Sequence, residues 1–90
     1  MFFAFDAEKS KINFDKHGID FTAVQAMWDD PGCIEIAAKT VDEPRFMVIG
    51  KIAEKHWSAI ITYRGDAIRI ISARRSRKEE KRFYESQRSG

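Results

Sequence analysis

The chain has 90 residues, of which 43% are apolar and 33% charged, with one cysteine and a formal net charge of +2. A chain of this length buries about 60 to 65% of the surface that its unfolded form exposes, which predicts a single domain over residues 1–90 and excludes multidomain enzymes. The charges are distributed unevenly along the chain, because residues 1–50 carry five basic and nine acidic side chains, whereas residues 51–90 carry eleven basic and five acidic side chains. The excess of positive charge in the second half indicates an anionic partner.

A first helix is predicted near the start of the chain. Residues 2–5 are apolar and form a strand or an extended lead-in, and Asp6 is a good N-cap for a helix over residues 7–17. Gly18 then ends the helix, since glycine readily adopts the left-handed conformation. Ala7, Ser10 and Phe14 are expected on the inner face of this helix.

A second helix is predicted next, and after it the spacing of the apolar residues changes. Apolar residues at i, i+3, i+6 and i+7 predict a helix from Phe21 to Trp28 with Asp20 as its cap. Beyond it the apolar residues alternate, which is typical of strands. Four strands are predicted over residues 33–38, 45–52, 57–64 and 67–72, with a polar connection at 39–44.

The links between the strands are short, which favours an antiparallel meander because parallel neighbours need long crossovers. Gly65 supplies the positive φ that the last hairpin needs. Ser76 and Glu79 form a capping-box pattern that begins a basic helix running to about Gln87. The predicted fold class is therefore α+β, with two N-terminal helices, an antiparallel sheet of about four strands and a basic C-terminal helix.

The sequence also bears on location. No apolar run approaches the roughly 20 residues that cross a bilayer, and the opening residues lack the basic start of a signal peptide. Cys33 alone forms no internal disulfide and fits a reducing compartment. We therefore expect a cytoplasmic protein with no membrane partner.

The familiar catalytic motifs are absent from the sequence. It contains no His-Glu-x-x-His, GxGxxG, phosphate loop or Gly-x-Ser-x-Gly, and its carboxylates do not cluster at metal-ligand spacing. Asp29-Asp30 precedes Pro31-Gly32 and is typical of a turn. We expect neither a metal nor a cofactor.

The basic second half suits RNA cleavage, which needs few protein groups. RNA carries its own nucleophile, the 2′-hydroxyl, so a protein has to orient the strand, move two protons and stabilise charge on phosphorus. Arginine and lysine supply the charge, and one preorganised donor lowers the barrier by about 3 to 4 kcal/mol. Histidine or tyrosine moves protons, which is worth about 10² to 10⁴ in rate.

Several residues are candidates for these tasks. Arg69 lies between Ile68 and Ile70 in a predicted strand, so it has either a structural carboxylate partner or a phosphate. His17 is either a helix C-terminal residue or a proton carrier, and Arg64 either a hairpin-end charge or part of the site. The candidate catalytic residues are His17, Arg64, Arg69 and Arg74, and the candidate RNA-binding residues are Tyr63, Arg75, Arg77, Lys78, Lys81 and Arg82.

Several segments of the chain resemble the BrnT toxins of bacterial type II toxin–antitoxin systems. These are Lys16-His17-Gly18-Ile19, Phe21, Trp28-Asp29-Asp30-Pro31, Ile49-Gly50, Tyr63 to Arg75 and Tyr84-Glu85. The most specific is the run Ile68-Arg69-Ile70-Ile71-Ser72-Ala73-Arg74-Arg75. By position, the residues that match family motifs are His17, Arg64, Arg69, Ser72, Arg74 and Arg75.

This resemblance implies a RelE-like fold and a metal-independent ribonuclease that inhibits translation when free. It also implies a cognate antitoxin that neutralises the toxin and through which the complex binds its operator DNA. Two departures from the family are visible: the opening reads Phe2 to Asp6 instead of an acidic-aromatic start, and Lys39 to Arg45 keeps Glu43 and Arg45 but has no histidine. The alternative function is a non-catalytic basic module that binds nucleic acid or an acidic protein.

Overall fold

The computed structural model describes residues 2–39 and 42–89, and its α+β class agrees with the prediction. The predicted polar connection at 39–44 lies partly outside these residues. None of the helices in the described segments combines the length and apolar character needed to cross a bilayer. The elements are β1 (Phe2–Ala4), α1 (Ala7–His17), a 3₁₀ helix (Ala23–Asp29), β2 (Ile34–Ala38), β3 (Arg45–Ile52), β4 (Lys55–Arg64), β5 (Ala67–Arg75) and α2 (Lys78–Ser89).

The sheet has five strands in the order β1-β5-β4-β3-β2, and it is mixed. Strands β2 to β5 form the predicted antiparallel meander, but β1 is a fifth strand that pairs parallel to β5, from Phe2 opposite Ala67 to Ala4 opposite Arg69. The expected antiparallel sheet of about four strands was therefore wrong in number and in kind. Three apolar residues carry no periodicity, and their partner lies more than 60 residues away, so local patterns do not predict the pairing.

Helix α1 has the predicted bounds, and its N-terminus is held by Asp6, whose Oδ1 accepts from the backbone N–H of Glu8 (2.8 Å) and of Lys9 (3.1 Å). The prediction for its inner face was right for Ser10, which is buried, and wrong for Ala7 and for Phe14, which is 54% exposed. Asn13 is the other buried residue of the helix. The helix packs through polar groups.

Asn13 attaches α1 to the sheet. Its carboxamide donates to the backbone oxygens of Ile19 (2.8 Å) and Ala73 (2.9 Å) and accepts from the N–H of Ala73 (3.2 Å). Since β1 pairs only with Ala67 to Arg69, Asn13 serves as the partner of β5 where β1 has ended. Helix α1 therefore lies along an edge of β5.

The predicted second helix is a 3₁₀ helix, shifted by two residues at its start. Phe21, Val24 and Met27 are all nearly inaccessible, and their spacing of three residues is the period of a 3₁₀ helix. Within the 3₁₀ helix this period places Val24 and Met27 on one face toward the core, and Phe21, two residues before the helix, belongs to the same buried cluster. Asp20 acts as expected, since its Oδ1 accepts from the N–H groups of Thr22 (3.0 Å) and Ala23 (2.7 Å).

The hydrophobic core lies between one face of the sheet and the helical segments of the first 30 residues. Trp28 is half-buried and contacts the edge of Phe3, with ring centroids 5.0 Å apart. The buried core residues are Ile19, Phe21, Val24, Met27, Val48, Ala59, Ile61, Ile68, Ile70 and Ala73.

Helix α2 packs on the opposite face of the sheet and begins later than predicted, at Lys78. The capping box at Ser76 and Glu79 does not form: the Ser76 hydroxyl bonds Ser58 (2.8 Å), and the carboxylate that accepts from a helix N-terminal N–H is Glu80, bonded to Arg77 (2.8 Å). The capping pair is thus displaced by one residue.

Tyr84, near the middle of α2, attaches this helix to the turn that follows the 3₁₀ helix. This side chain is fully buried, and its hydroxyl donates to Asp30 Oδ2 (2.6 Å). Asp30 also accepts from the backbone N–H of Gly32 (2.9 Å) and of Lys51 (2.8 Å). Because these donors stabilise the carboxylate, the pKa of Asp30 lies below its usual value although burial opposes the change.

Candidate active site

A half-enclosed pocket of about 220 Å³ lies at the end of the sheet where β4 ends and β5 begins. Strand β1 stops after Ala4, so the next residues of β5 are uncovered at the sheet edge, and the first turn of α1 forms one wall there. The pocket is smaller than the roughly 300 to 1,000 Å³ of sites for drug-sized ligands, so it suits a single small group. Its lining residues are Asp6, Lys9, Glu43, Arg45, Arg64, Arg69, Ile70 and Ile71.

Arg69 has the most informative environment of these residues. Its neighbours Ile68 and Ile70 are buried in the core at 5% and 2% exposure, and strand alternation directs Arg69 to the other face, where it is half-buried. Within residues 2–39 and 42–89, no hydrogen bond or ion pair from its guanidinium is found. An unpartnered, half-buried guanidinium in a concave site has unused hydrogen-bond donors that suit an anion.

Arg64 lies beside Arg69 in the pocket and pairs loosely with Glu43. The Nη2 to Oε2 distance is 3.6 Å, and the two side chains are 59% and 35% exposed. Exposed pairs of this kind contribute about 0 to 1 kcal/mol, so the Glu43 carboxylate does not prevent Arg64 from binding an anion.

Two further cations line the pocket that sequence reasoning missed, Lys9 and Arg45. The predicted meander contained the signal for Arg45, because Arg45 begins β3 at the end of the sheet where Arg64 ends β4. Lys9 lies on the first turn of α1, which directly follows β1. Four cationic side chains therefore face two carboxylates around the pocket.

Arg74, a predicted catalytic residue, lies elsewhere. It is five residues beyond Arg69 along β5, about 16 Å at the rise of a strand. Its Nη1 and Nη2 donate to Glu80 Oε1 and Oε2, both at 2.8 Å, and Glu80 also accepts from Ser58 Oγ (2.8 Å). The hydrogen bonds from Arg74 and Ser58 lower the pKa of Glu80 to about 2. The bond to Glu80 in turn raises the pKa of Arg74. The pair joins β5 to α2.

His17, the predicted proton carrier, lies at the last residue of α1 and is exposed. It is eight residues beyond Lys9, about 12 Å at the rise of an α-helix, and it is not among the residues lining the pocket. The structure therefore brings Arg64 and Arg69 together but not His17 or Arg74.

The predicted RNA-binding residues fall into two places. Tyr63 lies beside Arg64, with its ring 5.5 Å from that of Phe46 and its hydroxyl donating to Glu35, and burial together with Glu35 raises the pKa of Tyr63 to about 12. The other five lie at the far end of β5 and on the first turns of α2: Arg75, Arg77, Lys78, Lys81 and Arg82.

Arg75 is the member of this second group with a fixed position. Its guanidinium lies over the ring of Trp57 (5.5 Å to the centroid), and its Nε donates to the backbone oxygen of His56 (3.3 Å). Arg75 is six residues from Arg69, about 20 Å along the strand. The basic start of α2 is thus well separated from the pocket.

Comparison with known proteins identifies the family. The sequence-family model that describes the BrnT ribonuclease toxins of type II toxin–antitoxin systems matches residues 5–80. The chain belongs to the BrnT family. All eight residues that line the pocket of this BrnT protein lie inside the matched segment. No curated protein matches the chain. Among the described residues, no group of three or more His, Cys, Asp or Glu side chains is arranged to hold a metal ion.

Proposed function

We propose that this BrnT protein is a metal-independent endoribonuclease whose arginine pocket binds the scissile phosphodiester. The observation that carries the proposal is Arg69, a half-buried guanidinium without a protein acceptor in the described segments, in a pocket that also contains Arg64 and Arg45. When the 2′-hydroxyl attacks, phosphorus acquires additional negative charge, and preorganised cations stabilise that charge without reorganising. The volume of the pocket, about 220 Å³, suits one phosphate group.

The carboxylates of the pocket provide the proton acceptor. Asp6 Oδ1 accepts two backbone N–H groups at the start of α1, which gives this carboxylate a structural role. Glu43 faces Arg64 and is the better placed to take the proton of the 2′-hydroxyl. The original candidates His17 and Arg74 stay in the proposal as comparators, since their positions outside the pocket predict that neither is needed at phosphorus.

The biological role follows from the family. We propose that cleavage of RNA inhibits translation, that a cognate antitoxin neutralises the toxin by covering the pocket, and that operator DNA is bound only through the antitoxin. The exposed cations at the start of α2, together with Arg75, extend the positive surface about 20 Å from Arg69 and serve as a second contact for the RNA strand. Tyr63 follows Thr62 and pairs with Ile68, which places it on the sheet face opposite Arg69; its exposed ring is proposed to stack on an unpaired base beyond the end of the strand.

The test is cleavage of RNA by the purified, antitoxin-free protein in the presence of EDTA. The expected products carry 2′,3′-cyclic phosphate and 5′-hydroxyl ends. Arg69→Ala should lower kcat by about 10² to 10³, the effect of losing one preorganised charge donor, and should change RNA affinity much less. Arg82→Glu, on the exposed face of α2, is the matched control and should weaken affinity while leaving kcat near its original value.

The same measurements separate catalysis from binding. If the chain is a non-catalytic basic module, the unaltered protein leaves RNA intact at high concentration. In that case Arg82→Glu abolishes binding as thoroughly as Arg69→Ala does. Equal loss from both substitutions, with no cyclic phosphate ends, would refute the nuclease.

A further inference from the structure

We propose that Lys9 is the general acid of the cleavage reaction and delivers a proton to the departing 5′-oxygen. The inference rests on the proposed function and assigns a step of it to a residue that the sequence analysis did not single out. Its basis is that Lys9 lines the same pocket as Arg69 and that its helix is bonded to β5 through Asn13.

The first observation is the placement of Lys9. Its backbone N–H donates to Asp6 Oδ1 (3.1 Å), which fixes the first turn of α1. One turn later, Asn13 bonds both backbone groups of Ala73 on β5. Helix α1 is therefore held along the sheet edge, and Lys9 on its first turn lines a pocket whose other cations come from strands β3, β4 and β5.

The second observation is that Lys9 is not occupied elsewhere. Within the described segments, no hydrogen bond or ion pair is found for its ammonium group, whereas Arg74 at the far end of β5 is bound by both oxygens of Glu80. The ammonium group is thus available to a bound substrate.

The third observation is the chemistry of the other lining groups. Arginines supply charge but cannot be deprotonated in proteins, so Arg45, Arg64 and Arg69 cannot protonate a leaving group. The carboxylates of Asp6 and Glu43 accept protons. Of the eight lining residues, Lys9 alone carries a charged group that can transfer its proton during the reaction.

The step balances with these groups. The 2′-hydroxyl proton passes to a pocket carboxylate as the bond from O2′ to phosphorus forms. The bond from phosphorus to O5′ breaks, and its electron pair remains on O5′, which takes the proton of the Lys9 ammonium. The products are a 2′,3′-cyclic phosphate, a 5′-hydroxyl, a neutral lysine and a protonated carboxyl group, and proton exchange with water restores both side chains.

The test compares two leaving groups. One substrate is an ordinary RNA oligonucleotide, and the other has sulfur in place of the bridging 5′-oxygen at the cleavage position, because a thiolate leaves without being protonated. Lys9→Arg keeps the positive charge but removes the transferable proton. Lys11→Arg, on the same helix and outside the arginine pocket, is the matched control, and thermal melting of each variant verifies the fold.

The expected result is a selective defect. Lys9→Arg should lower kcat on ordinary RNA by about 10² or more, the usual contribution of a general acid, with little change in KM. On the 5′-sulfur substrate it should cleave nearly as fast as the unaltered chain, and Lys11→Arg should match the unaltered chain on both substrates.

Three outcomes overturn the inference. Full activity of Lys9→Arg on ordinary RNA removes any role as an acid, and an equal defect on both substrates indicates that Lys9 contributes only structure or charge. The selective pattern in His17→Ala instead of Lys9→Arg assigns the proton to His17. Failure of the unaltered chain to cleave either substrate refutes the proposed nuclease itself, which distinguishes that failure from an error about Lys9.

Discussion

The Glu80 carboxylate is predicted to be the strongest single polar contribution to the stability of this fold. It accepts hydrogen bonds from two guanidinium nitrogens of Arg74, from Ser58 Oγ and from the N–H of Arg77, all at 2.8 Å. Glu80→Gln keeps the size of the side chain but places an amide donor opposite another donor. The substitution should therefore break one part of the network and weaken the rest.

The magnitude follows from the pKa of Glu80, which is lowered from 4.5 to about 2. A difference of about 2.5 units corresponds to about 3.4 kcal/mol at 1.36 kcal/mol per unit. Because the two side chains are 27% and 14% exposed, solvent screens part of this, and we expect Glu80→Gln to lose about 2 to 3 kcal/mol at pH 7. In a domain of this size each kcal/mol lowers Tm by about 4 to 8 °C.

The pH dependence of this loss identifies its cause. A carboxylate whose pKa is lowered by folding stabilises the protein fully above its unfolded-state pKa, and the contribution disappears as pH falls through the folded-state value. The difference between the unaltered chain and Glu80→Gln should thus be constant above about pH 5 and shrink between pH 4.5 and 2. Urea denaturation across this range measures it.

Glu79→Gln is the control, because Glu79 is exposed on the same helical turn and its substitution makes the same change in charge. It should cost about 0.5 kcal/mol or less. If Glu80→Gln matches Glu79→Gln at pH 7, or if its deficit persists unchanged down to pH 3, the ion-pair account of α2 docking is wrong.

Two other predictions concern the backbone. Asn13→Ala should lower the free energy of unfolding, measured in urea, by about 2 to 4 kcal/mol, since it leaves buried backbone groups of Ala73 and Ile19 unpaired. Asn13→Asp should lose as much, because a carboxylate cannot donate to the two backbone oxygens. A loss below about 1 kcal/mol would contradict the role of Asn13 as the partner of β5. The two-residue turn between β3 and β4 has positive φ at Ala53 (49°) and Glu54 (71°). Asparagine and glycine adopt positive φ more readily, so the double substitution Ala53→Asn, Glu54→Gly should raise the free energy of unfolding by about 1 kcal/mol. An unchanged Tm would show that this turn carries no strain.

The elements that sequence analysis predicted well are those specified by adjacent residues. Helix α1 has its predicted bounds because Asp6 and Gly18 act locally, within four residues of the groups they bond. Strand β3 likewise runs over the predicted residues, Arg45 to Ile52. Local capping and alternation contain enough information for such elements.

The elements that sequence analysis missed depend on remote contacts. Strand β5 extends three residues beyond its predicted end because Arg74 and Arg75 pair with Ser58 and Trp57 on β4. Helix α2 begins one residue later than a cap at Ser76 would place it, because Ser76 bonds Ser58, 18 residues away, instead of capping the helix. In each case a tertiary hydrogen bond outweighs a correct local propensity.

The sequence predicted that the candidate site contains arginines, but it did not predict which of the arginines lie together. Arg69 and Arg74 look alike in the sequence, since both are basic residues of one apolar strand near its end. What separates them is Glu80, which is six residues after Arg74 and is turned back onto it by the first turn of α2. The described residues contain no carboxylate bonded to Arg69 in this way, and no local pattern reveals that difference.

The two ends of β5 therefore use the same residue type for opposite purposes. At the α2 end, Arg74 and Glu80 neutralise one another, so their desolvation is compensated within the fold and Arg74 itself is not left to bind a ligand. At the other end, four cations surround a pocket with two carboxylates, and their mutual repulsion is an electrostatic cost that a phosphodiester would relieve. In the proposed function, a substrate phosphate would balance the charge of this second network as Glu80 balances the charge of Arg74.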